Sequence, residues 1–309
     1  MTSGCYFEFL ENILSFDLTA YLGAKKESVE LALSQCLPHT DSRPARLHES
    51  IRYSVLAPGK RLRPTLVLAA AEAVGGYPAD VMHTACALEC IHVFSLIHDD
   101  LPCMDNDDYR RGKLTNHKVY GEAIALLAGD ALLALAFQLI AENVSTAPAD
   151  RILTTLHLVA KASGTWGMVG GQVVDMESQG QEVTTETLQY IHAHKTGALL
   201  AASVLAGGML AGASKSQIGA LESYGSHVGL AFQIADDILD VVGDEAVIGK
   251  PVGSDEERDK ATFPKLFGLE ESRRRAHAEV DAAIQSLADF DEKAEPLRAI
   301  ARYIVERNV

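Results

Sequence analysis

The stretch Gly229-Leu-Ala-Phe-Gln-Ile-Ala-Asp-Asp-Ile-Leu-Asp240 ends a strongly apolar helical run in three carboxylates, and Asp99-Asp100-Leu-Pro-Cys-Met-Asp105 ends another in the same way. In the former, Asp236 and Asp240 are four apart, so they stand one above the other on a single helical face while Ile238 and Leu239 turn toward the core. In the latter, the outer aspartates are six apart, roughly 120° off a common face, and Pro102 lies between them, so a kink or bulge is expected. Either cluster alone reads most simply as a solvated helix end. Two at the ends of apolar helices weigh more, because neighbouring carboxylates repel one another and are costly to desolvate unless cations join them. A carboxylate donor set suits a hard ion, and Mg2+ typically joins one or two carboxylates to substrate phosphates. The implied ligand is a phosphate ester held through magnesium.

Around these clusters the pattern is helical almost throughout. Helical periodicity recurs at about 5–36, 46–57, 64–74, 79–98, 121–143, 149–164, 186–211, 215–242, 261–288 and 293–307. Strand-type alternation is nowhere sustained, and prolines such as Pro38, Pro58, Pro78 and Pro148 fall between or at the edges of the runs. The runs at 81–97, 123–141 and 198–211 are apolar around most of their circumference and are expected inside a bundle, with the small residues of the last allowing close helix approach and leaving an apolar cavity. Ala123 to Ala141 is long enough to span a bilayer, but Asp130 and Gln138 interrupt it and no basic flank anchors it, which favours a buried central helix and no membrane partner. Of the 309 residues, 48% are apolar and 22% charged, and no linker or repeat divides them. The fold class is therefore all-α, a single domain over 1–309 with about ten or more helices.

A net charge of -15 argues against nucleic acid and against diffuse attraction of a phosphorylated ligand, so any phosphate site must be built locally. The five cysteines are odd in number and lack CxxC spacing, which fits reduced thiols in a cytoplasmic compartment, and the Cys86/Cys90 pair has the spacing of a helical core face. Met1-Thr-Ser-Gly-Cys-Tyr-Phe-Glu does not read as a secretory signal. Local cations are present. Gly59-Lys60-Arg61-Leu62-Arg63-Pro64 packs three into four positions at a loop-to-helix start, where free backbone amides add to an anion site. Arg110-Arg111 directly follows five aspartates within ten residues, and guanidinium forks suit diphosphate oxygens. Arg273-Arg274-Arg275, by contrast, reads as a solvated face.

Taken in order, Gly59-Lys-Arg-Leu-Arg-Pro64, His92-Val-Phe-Ser-Leu-Ile-His-Asp-Asp-Leu-Pro-Cys-Met-Asp-Asn-Asp-Asp-Tyr-Arg-Arg-Gly112, Lys195-Thr196, Gly229 to Asp240, Gly249-Lys250 and Lys260-Ala-Thr262 resemble the trans-prenyl (isoprenyl) diphosphate synthases. The resemblance runs from about residue 45 to the C-terminus and is greatest to the bacterial farnesyl diphosphate synthases. It implies a helical bundle, usually a homodimer, with the two aspartate clusters facing each other across a deep central cavity. It further implies that Asp99 and Asp105 bind two Mg2+ ions and Asp236 a third, supported by Asp100, Asp237 and Asp240. Arg110, Lys195 and Lys260, with Lys250 nearby, match positions that hold an allylic diphosphate, while Lys60, Arg63, His92 and Arg111 match the pocket for isopentenyl diphosphate. Lys195, Thr196 and Gln233 match positions facing the developing carbocation.

The implied reaction is head-to-tail (1'-4) condensation of isopentenyl diphosphate with dimethylallyl or geranyl diphosphate to give farnesyl diphosphate (C15), with geranylgeranyl (C20) or geranyl (C10) diphosphate as alternative products. Ideal helical geometry sets Ser95 about 40° from Asp99 and Phe94 about 140° away, which would make Ser95 the cavity floor. The resemblance instead assigns chain length to Phe94, an aromatic there going with C15 in synthases that carry the Pro102-Cys103 insertion. A terpene cyclase would not need the second basic pocket, a head-to-head synthase often carries a membrane tail, and a non-catalytic subunit tends to lose carboxylates that are intact here. Pro58, Tyr109 and Leu114 depart from the commoner family pattern without removing a proposed ligand.

Overall fold

This computed structural model describes residues 16–242 and 262–306. Helix α1 (Leu18–Cys36) starts where the Asp17 carboxylate accepts the Ala20 N–H, as a short acidic side chain does for the free amides of a first turn. Next come α2 (Ala45–Val55), α3 (Leu62–Ala73) and α4 (Met82–Asp99). A short hairpin of β1 (Tyr109–Arg110) and β2 (Lys113–Leu114) leads into α5 (Asn116–Tyr120), α6 (Glu122–Ala141) and α7 (Ala149–Ser163). Then α8 (Met168–Glu177), α9 (Thr185–Ile191) and a π-helical turn (His192–Gly197) run into α10 (Ala198–Ala211). The long α11 (Lys215–Val242) carries the second aspartate cluster, and α12 (Phe263–Phe267), α13 (Leu269–Ser286) and α14 (Glu295–Glu306) complete the described chain.

Helix α3 shows why the bundle is one body. Leu66, Val67, Leu68, Ala69 and Ala70 are all fully buried, so no face of it is left to water. Val67 and Leu68 join an apolar cluster with α1, α2, α4 and α6, while Leu66, Ala69 and Ala70 join another with α10, α11, α13 and α14. The most extensive helix contacts are α4 with α6 and α11 with α13. Cys86 and Cys90 are fully buried in the first cluster, as their spacing implied.

Several sequence expectations need correction. Residues 5–15 of the first run lie outside the described residues, and the 261–288 run is broken at Gly268, which takes a positive φ of 78° between α12 and α13. Helix α8 was not expected at all, because Gly167, Gly170 and Gly171 lower helix propensity and blur its period. Helix α6 is buried on one face only: Ala125, Ala128, Leu132 and Ala136 are covered, whereas Leu126 and Leu127 remain 46% and 52% exposed. The small residues of α10 do not open a cavity. They bring helices together: a Cβ on Gly207 would lie 2.0 Å from the Val67 carbonyl oxygen, so α3 and α10 meet backbone to backbone, and no α10 residue lines the cavity described below.

Tyr224 ties α11 to α14, its fully buried hydroxyl donating to the Leu297 carbonyl at 2.6 Å. Tyr224→Phe keeps the ring but removes that buried hydrogen bond, and urea unfolding should show a loss of about 1 kcal/mol. An unchanged unfolding midpoint would mean that the bond contributes nothing.

Candidate active site

One cavity of about 1090 Å³ opens between α1, α3, α4, α8, α11 and α14, and it is lined by residues of both aspartate clusters (Asp99, Asp236), of the basic loop (Lys60, Arg63) and of the hairpin turn (Arg111). The acidic and basic motifs, remote in sequence, therefore share one space. His92, Phe94, Ser95, Lys195 and Thr196 line it as well.

At the acidic end, α4 stops at Asp99 instead of kinking through Pro102. The Asp105 N–H turns back to the Asp99 carbonyl at 2.8 Å and the Asn106 N–H to the Leu101 carbonyl at 3.1 Å, with Asn106 at a positive φ of 54°. This loop brings Asp105 close enough to raise the charging cost of Asp99. Burial is the main reason that Asp99 is pushed up to about 6, with Asp105 and Asp100 adding and Lys195 and Arg110 opposing. Asp100 is buried and turned to a different partner: the Arg110 Nε donates to both of its oxygens, at 2.8 and 3.0 Å. Burial still leaves Asp100 raised.

In the second cluster, Asp237 and Asp240 are buried, at 3% and 4% exposure, and Asp236 is the member that lines the cavity. Asp237 accepts from Gln233 Nε2 at 2.9 Å and from the Phe263 N–H at 2.9 Å, with His192 Nε2 3.5 Å away. Its oxygens thus brace α11 against the π turn and α12, a structural use that spacing alone did not reveal. Burial pushes His192 down to about 3, which keeps the ring neutral where it stacks on Phe263.

At the basic end, burial lowers Arg63 to about 10, while Glu89 and Asp236 pull it back. Burial and the surrounding arginines hold His92 well below its ordinary value, so it enters the site as a neutral hydrogen-bonding group. Arg111 sits in the hairpin turn at φ 53°, followed by Gly112 at 73°, the two positive angles that a tight two-residue hairpin needs, and its Nη1 donates to the Pro58 carbonyl at 2.9 Å. Arg61, Asn106 and Arg111 are the non-glycine residues with positive φ among those described, and all three lie in segments that carry the charged motifs.

Between the two ends, the π turn presents Lys195 and Thr196. Lys195 Nζ lies 2.6 Å from Asp175 on α8; burial would lower this ammonium, but Asp175, Asp99 and Asp105 hold it above its ordinary range. The approach of α8 requires Gly171, where a Cβ would lie 2.2 Å from the Lys195 backbone nitrogen. Thr196 Oγ1 donates to Gln233 Oε1 at 2.8 Å, so Gln233 stands behind Thr196 rather than on the cavity wall. Arg110 is likewise held by Asp100, while Lys250 and Lys260 lie outside the described residues. Sequence reasoning missed Asp175 and Glu89. The Gln172-Val-Val-Asp175 spacing on one helical face was the available signal for Asp175, and the turn Glu89-Cys-Ile-His92 for Glu89.

Both Phe94 and Ser95 reach the cavity, which resolves the opposition between them: the space is wide enough for two successive positions of α4 to border it. Phe94 is 7% exposed with its ring edge-on to His98 at 4.8 Å, whereas the Ser95 hydroxyl is turned to the His92 carbonyl at 2.8 Å. Phe94 is thus the bulk on that wall.

The raised Asp99 has a stability consequence. In metal-free protein the folded state gives up the Asp99 charge below about pH 6 whereas the unfolded chain keeps it down to its ordinary 3.8, so Asp99→Asn should stabilise the metal-free fold at pH 7 by about 3 kcal/mol. The gap should close as pH falls from 6 to 4. Thermal unfolding in a chelator at the two pH values measures it, and a gap that persists at pH 4 would contradict the burial cost.

A family model described as polyprenyl synthetase matches residues 44–302. The chain is 50% identical to a geranylgeranyl diphosphate synthase of Cyanophora paradoxa, over 95% of this chain and 98% of the relative, and 47% identical to a farnesyl diphosphate synthase of Geobacillus stearothermophilus, over 93% and 97%. Its fold is similar to the crystal structure of an FPP/GFPP synthase from Zymomonas mobilis, with a TM-score of 0.84, 40% identity, and coverage of 93% of this chain and 98% of that one. With the carboxylate and cation motifs gathered at one cavity, the chain belongs to the polyprenyl synthetase family, the trans-prenyl diphosphate synthases, and is a prenyltransferase.

Proposed function

We propose that this prenyltransferase joins isopentenyl diphosphate head to tail (1'-4) to dimethylallyl and geranyl diphosphate and releases farnesyl diphosphate. The observation that carries this reading is one cavity bordered by Asp99 and Asp236 together with Lys60, Arg63 and Arg111. A prenyl chain-elongating enzyme needs two diphosphate sites, and the two charge sets supply them.

The donor chemistry fits Mg2+. Asp99 and Asp236 bring hard carboxylate oxygens to one cavity, the donors used by an ion that takes its remaining ligands from substrate phosphate and water. Asp99, Asp105 and Asp236 would hold the ions, three in all once an allylic diphosphate is bound. Bound Mg2+ would supply charge stabilisation to the departing diphosphate. Lys195, paired with Asp175 and facing Asp99, would bind the same diphosphate. Thr196, with Gln233 fixing its hydroxyl, would turn oxygen toward the carbon left electron-poor. Lys60, Arg63, His92 and Arg111 would orient the isopentenyl double bond toward that carbon beside apolar side chains such as Phe94, Met104, Val169 and Phe232, which would limit the access of water. The departing diphosphate is a sufficient base for the proton lost at the end.

Phe94 supports the C15 product, because its ring occupies the wall along which a growing chain would extend. The half-exposed Leu127 on α6, which lies outside the cavity lining, supports a homodimer in which a second copy covers this helix. The free thiols of Cys36, Cys86, Cys90 and Cys103 support a cytoplasmic site of action.

Incubation with isopentenyl diphosphate, dimethylallyl diphosphate and Mg2+, followed by chromatography of the dephosphorylated products, tests the reading. A C15 alcohol as main product is expected, and absence of any elongated product would reject it. Phe94→Ala should shift the profile toward C20, whereas unchanged chain length would remove Phe94 from that role.

A further inference from the structure

Of the three cations in the 60–63 loop, all of which border the cavity, the middle one gives its guanidinium to protein acceptors. Arg61 is only 2% exposed, and its fork is divided among protein acceptors: Nη1 donates to Glu89 Oε1 at 2.7 Å, and Nη2 donates to the carbonyls of Val55 at 2.9 Å and Ala57 at 2.7 Å. The carboxylate of Glu30 on α1 lies 3.5 Å from its Nε. The Arg61 backbone takes the left-handed conformation, with φ 52°, a region that a non-glycine residue holds only when its surroundings fix it. That turn is what allows Lys60 before it and Arg63 after it to border one cavity. Arg111 rests on the same loop through the Pro58 carbonyl.

Glu89 anchors this arrangement from α4, one turn ahead of His92. It is 1% exposed, and its Oε2 is buried with no hydrogen-bond partner, so the Arg61 bond is the hydrogen bond that its carboxylate makes. We propose that Glu89, acting through Arg61, is a positioning residue for isopentenyl diphosphate: it locks the 58–61 loop so that Lys60, Arg63 and Arg111 converge on one diphosphate. The inference rests on the assignment of that pocket made above. A carboxylate here could also act only as a counter-charge to Arg63 and Arg111, and the two roles differ in what they demand. Positioning needs reach to Arg61 Nη1, which Gln preserves and Asp loses. Counter-charge needs a negative group, which Asp preserves and Gln loses.

The experiment is steady-state kinetics of Glu89→Asp, Glu89→Gln, Arg61→Lys and Lys60→Gln with isopentenyl diphosphate varied at saturating geranyl diphosphate and the converse, with thermal unfolding of each variant. Glu89→Asp and Arg61→Lys should raise KM for isopentenyl diphosphate about tenfold, with kcat within about threefold and KM for the allylic substrate within about twofold, and Glu89→Gln should stay within about threefold of the parent throughout. Arg61→Lys reads the same bond from the other side should Glu89→Asp not fold. If Lys60→Gln raises that KM but Glu89→Asp and Arg61→Lys do not, or if they depress kcat and both KM values in step with lost thermal stability, the positioning role is overturned while the pocket stands. If Lys60→Gln leaves that KM unchanged, the pocket assignment itself falls and the inference with it.

Discussion

Asp99 and Arg63 both sit in surroundings that penalise charge, since burial pushes one up to about 6 and the other down to about 10. Each is drawn back by groups of the opposite sign: Lys195 and Arg110 for Asp99, Glu89 and Asp236 for Arg63. Asp236 belongs to the acidic end, so the two ends of the cavity feel each other through a poorly screened interior. The compensation at Asp99 is incomplete without further positive charge. In the proposed reading, an allylic diphosphate with its divalent cations would answer the carboxylates, and the diphosphate of the isopentenyl substrate would answer the arginines.

That balance requires side chains to be held apart as firmly as they are brought together. The Arg110 fork on Asp100 removes one carboxylate from the acidic group, and the Asp237 bonds to Gln233 and Phe263 remove another. Asp99 and Asp236 are left bordering the cavity, one from each cluster. Backbone geometry does comparable work. The π turn offers Lys195 and Thr196 together, and the left-handed turns at Arg61 and Arg111 redirect neighbouring cations. Such irregular features persist at sites where the surrounding fold determines them fully.

Much of this was legible in the sequence, and the parts that were not share a cause. Long apolar periods located α4, α6, α10 and α11, and the ordered motifs indicated which charges belong together. Periodicity could not find α8, where glycines interrupt the pattern, although α8 supplies Asp175 to Lys195. Nor could it show which charges are paired within the protein: Asp100, Asp237, Arg61 and Arg110 look like their neighbours in the chain, and their partners emerge only in three dimensions. The angular argument that set Ser95 against Phe94 assumed a narrow floor, and the cavity takes in both positions.

The central claim is that the two carboxylate clusters hold one diphosphate jointly through shared divalent cations. Calorimetric titration of a non-hydrolysable allylic thiolodiphosphate, with and without Mg2+, into the parent protein, Asp99→Asn, Asp236→Asn and the double variant addresses it directly. Joint coordination requires each single variant to lose most of the Mg2+-dependent affinity and the double variant to lose little more. Strictly additive losses, or a single variant that retains the full Mg2+-dependent affinity, would mean that the clusters act separately.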